Sequence, residues 1–178
     1  MGSIIVLKTT PLEERIVRDL GGRDSLVLQF GIYNEFVERD FLKTKQDEQA
    51  FYLLRDEYRG KKIIYLDFWA SWCGSCISEF KAAKGLQKKY KDNVVFVMLS
   101  IDDENDKCGK AIEKYGLKSG FHHYRIGTQS DLSLIYDVNA IPRYMIFDKS
   151  GSHYDLHAKR PRDPSLKDDF EKLILNEN

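Results

Sequence analysis

An α/β protein is expected, with a mixed central sheet, helices on both faces and a mainly helical N-terminal extension. Two apolar runs, 63–68 and 94–101, flank an amphipathic helical pattern over 76–90. Two buried strands joined by a helix form a right-handed parallel unit. Downstream, 144–148 and 153–157 read as strands turned by Lys149-Ser150-Gly151, which is a hairpin.

The elements follow in chain order. Residues 12–20, closed by Gly21-Gly22, suggest a short helix. Leu26, Phe30, Tyr33, Val37 and Phe41 recur at spacings of three and four and suggest a second. Residues 45–58, with Phe51, Leu54 and Tyr58 and ended by Gly60, suggest a third. This places a helical extension, or the remnant of a preceding domain, over 1–60 and an α/β domain over 61–178. The extension's role stays open between covering the sheet and mediating dimer contacts. Strand 63–68 is apolar on both faces, and helix 76–90 carries Ile77, Phe80, Leu86 and Tyr90 on its apolar side. After strand 94–101 come a helix over 107–115 ended by Gly116, an extended piece at 121–126, a helix near 131–136 and the hairpin. The last helix is expected to open with Asp163 as N-cap and Pro164 at its first position, and to run through Phe170, Leu173 and Ile174.

Composition bounds the function. The 178 residues are 42% hydrophobic and 31% charged, with 28 basic and 28 acidic side chains, as expected of a globular chain with one substantial core. A net charge of zero gives no sign of nucleic acid. The cluster Lys159-Arg160-Pro161-Arg162 is short, is balanced by Asp163 and reads as a solvated loop. The longest apolar run, 63–70, contains Asp67 and falls far below the ~20 residues of a membrane helix. The start, Met1-Gly2-Ser3-Ile4-Ile5-Val6-Leu7, has no basic segment and no long apolar stretch, so neither a signal peptide nor a lipid anchor is read from it.

The chemistry concentrates in Trp72-Cys73-Gly74-Ser75-Cys76, between the first apolar strand and the helix that follows. With Cys73 at the helix start and Cys76 one turn inside, both sulfurs lie on one helical face, within reach of a disulfide. Cys73 is then the exposed thiol, and free N–H groups and the helix dipole favour its thiolate, the nucleophile of thiol–disulfide exchange. Cys76, deeper, resolves the mixed disulfide. A structural zinc site needs four ligands, and no second Cys or His pair stands at ligand spacing. Cofactors are expected to be none beyond the redox-active Cys73–Cys76 disulfide. Asp67 lies inside a run that reads as buried, where an ionised side chain is costly. Cys108 reads as a small semi-buried hydrophobe and His122-His123 as surface histidines on an edge.

The stretch 67–76, DFWASWCGSC, together with 140–151, AIPRYMIFDKSG, resembles the thioredoxin superfamily. Within it the fit is to TlpA/ResA-like thiol:disulfide oxidoreductases of the Bacteroidetes type, with Ser100-Ile101-Asp102 and Lys159-Arg160-Pro161-Arg162-Asp163-Pro164 as further points of likeness. The resemblance covers roughly 60–175 and implies a thioredoxin-like fold. Cys73 then matches the attacking cysteine and Cys76 the resolving one. Pro142 matches a cis proline facing the dithiol, with Ile141 offering backbone groups to an extended substrate and Trp72 alongside as a substrate-binding residue. Asp67 matches a buried acid that shuttles a proton to the resolving thiol, against a merely hydrogen-bonded core aspartate. Glu79 matches a glutamate near the active site, against an exposed helix carboxylate.

The family further implies protein thiol/disulfide substrates, an upstream membrane reductase and a periplasmic or cell-envelope location. A reductase is expected, with cytochrome c maturation or general disulfide reduction as its task. The alternatives are a disulfide oxidant or isomerase, and a non-catalytic thioredoxin-fold module binding protein or copper. Sco-like copper binders carry three residues between their cysteines, whereas this chain carries two. Two departures from the family pattern matter. Ser75 replaces a proline and offers the Cys73 thiolate one more donor, which moves the couple toward a more oxidising potential. Lys81 replaces another proline, so the helix should lose a kink there.

Overall fold

The structure is a computed structural model that describes residues 35–175, with side chains from residue 45 onward. The helix expected over 12–20, and the part before residue 35 of the one expected from Leu26 to Phe41, lie outside the described residues. In order come α1 (Glu35–Tyr58), β1 (Ile63–Trp69), α2 (Gly74–Tyr90), β2 (Val94–Ser100), α3 (Asn105–Lys114), β3 (His122–Arg125), α4 (Asp131–Ile135), β4 (Arg143–Phe147), β5 (His153–Asp155) and α5 (Leu166–Leu175).

The five strands form one sheet in the order β3-β2-β1-β4-β5. β1 pairs parallel with β2 and β2 with β3, while β4 runs antiparallel to β1, and β5 to β4. Every residue of β1 and β2 is buried, because the central strands are covered on both faces. Side chains alternate between those faces. Ile64, Leu66 and Phe68 share a cluster with Phe51 and Leu54 of α1, whereas Ile63 and Tyr65 pack with Leu86 and Tyr90 of α2 and with Leu166 and Phe170 of α5. Asp67 falls by parity on the α2 side, opposite Tyr144 in the β1–β4 register. A third cluster, Trp69, Cys73, Cys76, Phe80, Met98 and Cys108 among its members, closes the end of the sheet where β1 gives way to α2.

The extension differs from expectation. The helix expected over 45–58 is longer and unbroken from Glu35, since Leu42-Lys43-Thr44 contain no glycine or proline to divide it from the pattern before. On this helix Phe51 is fully buried, and Glu48 accepts a hydrogen bond from the Leu132 N–H at 3.5 Å. Its apolar stripe covers a sheet face that would otherwise meet water. Gly60 and Gly116 end α1 and α3 at φ +74° and +64°, a backbone that other residues seldom adopt. The last helix starts at Leu166 rather than Pro164. Asp163 Oδ1 accepts from the N–H and hydroxyl of Ser165, which makes a turn ahead of the helix rather than its first residue. α2 runs through Lys81 without a break.

Candidate active site

The chain leaves β1 at Trp69, makes one turn and enters α2. The turn closes where Cys73 N–H donates to the Ala70 carbonyl at 3.1 Å, and Cys73 is the N-cap, in extended backbone, one position before the first helical residue, Gly74, rather than that first residue itself. Cys73 and Cys76 form a disulfide with their Cα atoms 5.3 Å apart. The Cys76 N–H donates to Cys73 Sγ at 3.1 Å, so the positive end of the helix dipole is aimed at that sulfur. The Ser75 hydroxyl lies 3.4 Å from the same sulfur, and the disulfide sulfur has no proton to give, so the hydroxyl is the donor. Cys73 is 6% exposed and Cys76 fully buried. The expected exposed thiol is thus only the more accessible of two buried sulfurs, because the surrounding apolar cluster encloses the pair. Trp72, 64% exposed, stands beside it.

Ile141 packs against the cluster that holds both cysteines, and the Ile141–Pro142 peptide bond is cis. This brings two segments nearly seventy residues apart in sequence to one end of the sheet.

A buried polar group lies on the α2 side of the sheet. Asp67 is 4% exposed and its Oδ1 has no hydrogen-bond partner among the described residues. Burial, and then the neighbouring charge of Glu79, hold its pKa well above the usual carboxylate range. The hydroxyl of its cross-strand neighbour Tyr144 is also buried without a partner among the described residues, and burial pushes that phenol up as well. The Tyr65 ring stacks on Tyr144 at 5.6 Å, and the Tyr65 hydroxyl donates to the Lys159 carbonyl at 2.7 Å.

Glu79 is not an exposed helix carboxylate: it is 1% exposed. It accepts from the Arg162 N–H at 3.0 Å and pairs with the guanidinium groups of Arg162 at 3.2 Å and Arg160 at 3.8 Å. Arg162 also donates to the carbonyl and hydroxyl of Ser78, at 2.9 and 2.8 Å. A buried carboxylate needs such partners. The segment 159–162 is therefore more than a solvated loop: both arginines keep over half their side-chain surface in water while their ends latch onto α2. Charge runs in a sequence do not reveal a partner eighty residues away, so only Glu79's position on the apolar side of its helix could have hinted at it.

The histidines are less exposed than expected. His122 meets the Tyr58 ring edge-on at 6.0 Å, His123 Nε2 lies 2.8 Å from the Leu117 carbonyl, and burial lowers the pKa of both. Among the described residues no three His, Cys, Asp or Glu side chains converge as metal ligands, and no helix is long and apolar enough to cross a membrane. Cys108 is buried, and that burial raises its pKa.

Known proteins match this arrangement. A thioredoxin-like family model covers residues 60–153. Thioredoxin-like protein YneN of Bacillus subtilis is 34% identical over 120 residues, 66% of each chain, so the chain spans just under two thirds of that relative. The thiol-disulfide oxidoreductase ResA of Bacillus thuringiensis is 28% identical over 68% of this chain and 74% of its own. Among solved structures, a candidate thiol-disulfide oxidoreductase from Bacteroides vulgatus superposes with a TM-score of 0.60 at 33% identity, over 67% of this chain and 78% of that one. With a disulfide-forming pair at the start of α2 and these relatives, the chain belongs to the thioredoxin-like family and is one of its thiol-disulfide oxidoreductases.

Proposed function

We propose that the protein reduces disulfides in protein substrates in the cell envelope, resupplied with electrons by a membrane reductase. The observation that carries the order of events is the graded burial of the pair, Cys73 touching solvent and Cys76 not. The Cys73 thiolate attacks a substrate disulfide, forms a mixed disulfide and expels one substrate thiolate. Asp67, in its ionised form, takes the proton from Cys76. The Cys76 thiolate then attacks Cys73 Sγ, expels the second substrate thiolate and leaves the Cys73–Cys76 disulfide. The substrate gains two electrons, and its two thiolates take up the proton released by Asp67 and one from water; the reductase's thiol pair returns the enzyme to its dithiol form. The unpartnered Oδ1 of Asp67 favours a proton carrier over a hydrogen-bonded core aspartate. Ile141 and the cis Pro142 supply main-chain groups for an extended substrate strand, with Trp72 as an exposed apolar contact beside them.

One contact favours a second reading. The Ser75 hydroxyl stabilises a Cys73 thiolate and so the reduced protein, as a disulfide oxidant requires. The reduction potential against glutathione decides: about −270 mV supports the reductase, and about −120 mV the oxidant. Cys76→Ser should accumulate a mixed disulfide with a disulfide-bonded protein substrate and Cys73→Ser none. Absence of any exchange by the wild type would leave a binding module.

A further inference from the structure

In the turn between β1 and α2 the Ser71 N–H has its acceptor outside the turn, and a partly buried N–H needs one. Asp102, just past β2 and 1% exposed, supplies it. Its Oδ2 accepts from the Ser71 N–H at 2.9 Å and its Oδ1 from the Ser71 hydroxyl at 2.7 Å, so the carboxyl grips one residue at two points. Oδ2 also accepts from the Ser100 hydroxyl at 2.7 Å, and Ser100 Oγ accepts in turn from the Asp102 N–H at 3.0 Å. The main chain behind the carboxyl is held as well. The buried Arg125 guanidinium of β3 donates to the carbonyls of Asp102 at 3.4 Å and Asp103 at 2.9 Å.

We propose that Asp102 is a positioning residue for exchange: by clamping Ser71 to β2 it fixes the turn that presents Cys73 Sγ to the Cys76 N–H. Ser71 stands two residues before Cys73, and β1 on its other side is locked to β2 through Ile101 N–H donating to the Trp69 carbonyl at 2.9 Å. The clamp thus ties down the one stretch of turn that the sheet ladder does not reach. Trp72, its neighbour, is mostly exposed and offers no burial to hold the turn instead. The inference rests on the thiol–disulfide exchange reading above.

The charged and titratable groups around the clamp are Arg125, Asp103, Lys107 and Cys108, with Asp47 of α1 accepting from the Arg125 N–H at 3.0 Å. An Asp102 variant alters that charge set, so the decisive variants are neutral ones at Ser71. Ser71→Ala leaves the carboxyl short of a donor, whereas Ser71→Thr keeps both donors. Exchange with a disulfide-bonded protein substrate should slow about tenfold in Ser71→Ala and in Asp102→Asn, by loss of alignment. Ser71→Thr should stay near wild type, and the double variant should be no slower than Asp102→Asn, because one interaction is lost in both. In the reduced proteins, the midpoint of Cys73 alkylation against pH should rise in Ser71→Ala and return in Ser71→Thr.

Unchanged midpoints, or additive rate losses, overturn the clamp. A wild type that alkylates with the expected pattern yet exchanges no disulfide overturns the functional reading and leaves the clamp standing. Should Asp102→Asn fail to fold, the Ser71 pair carries the test alone.

Discussion

Replacing Asp67 by asparagine in the oxidised protein tests the buried acid directly. Asp67 sits in the middle of a fully buried strand, one carboxyl oxygen has no partner among the described residues, and burial together with Glu79 raises its pKa well above the ordinary value. In the unfolded chain an aspartate titrates near ~4. Below that midpoint both states hold the proton and Asp67 contributes no pH dependence. Between the unfolded and the raised folded midpoint, the native state binds one proton that the unfolded state has lost. Stability then falls as pH rises, by about 1.4 kcal/mol per pH unit for one proton, and levels off above the folded midpoint. A carboxamide cannot titrate, so Asp67→Asn should gain on the wild type as pH rises from about 5 to about 7, by up to about 1.4 kcal/mol per pH unit until the folded midpoint is passed. The assay is urea unfolding followed by tryptophan fluorescence across that range. Keeping the Cys73–Cys76 disulfide intact removes both thiols from the titration. Curves of stability against pH that run parallel for the two proteins would refute the proton-holding Asp67, and with it the proton transfer to Asp67 from Cys76.

Phe51→Ala should cost about 3–5 kcal/mol in the same unfolding assay, since the ring is fully buried against the sheet. A loss under ~0.5 kcal/mol would put α1 outside the core. Glu79→Gln should cost about 1–2 kcal/mol, the low end for a buried charge pair because both arginines are over half exposed. It should also flatten the dependence of the melting temperature on salt, and a wild-type melting temperature would count against the latch. Ser75→Ala removes the hydroxyl beside Cys73 Sγ and should make the couple more reducing by about 30 mV, the equivalent of one hydrogen bond to a charged sulfur. An unchanged potential against glutathione would show that the contact does not favour the thiolate.

What could be read along the chain was whatever depends on neighbours in sequence. The strand, turn and helix around Cys73 and Cys76, the parallel unit and the later hairpin are written in periodicity over a few residues, and each forms as expected with ends shifted by a residue or two. The buried placement of Asp67 followed from its apolar flanks. Misjudged features depend on distant partners. Leu42-Lys43-Thr44 could not show that the helix before them continues, and nothing near Phe51 showed which sheet face it covers. Arg160 and Arg162 looked solvated because their partner, Glu79, lies far back in the chain on α2.

The sequence by itself determined a redox-active pair on a strand-to-helix turn, since spacing and local pattern place both sulfurs on one helical face. Only the tertiary structure decided what surrounds that pair. Asp67 and Tyr144 meet through antiparallel register, Glu79 and Arg162 through the packing of the last loop on α2, and Ser71 and Asp102 through the ladder joining β1 to β2. Long-range contacts of this kind exist only once the sheet has closed, because each joins side chains that local periodicity leaves unrelated.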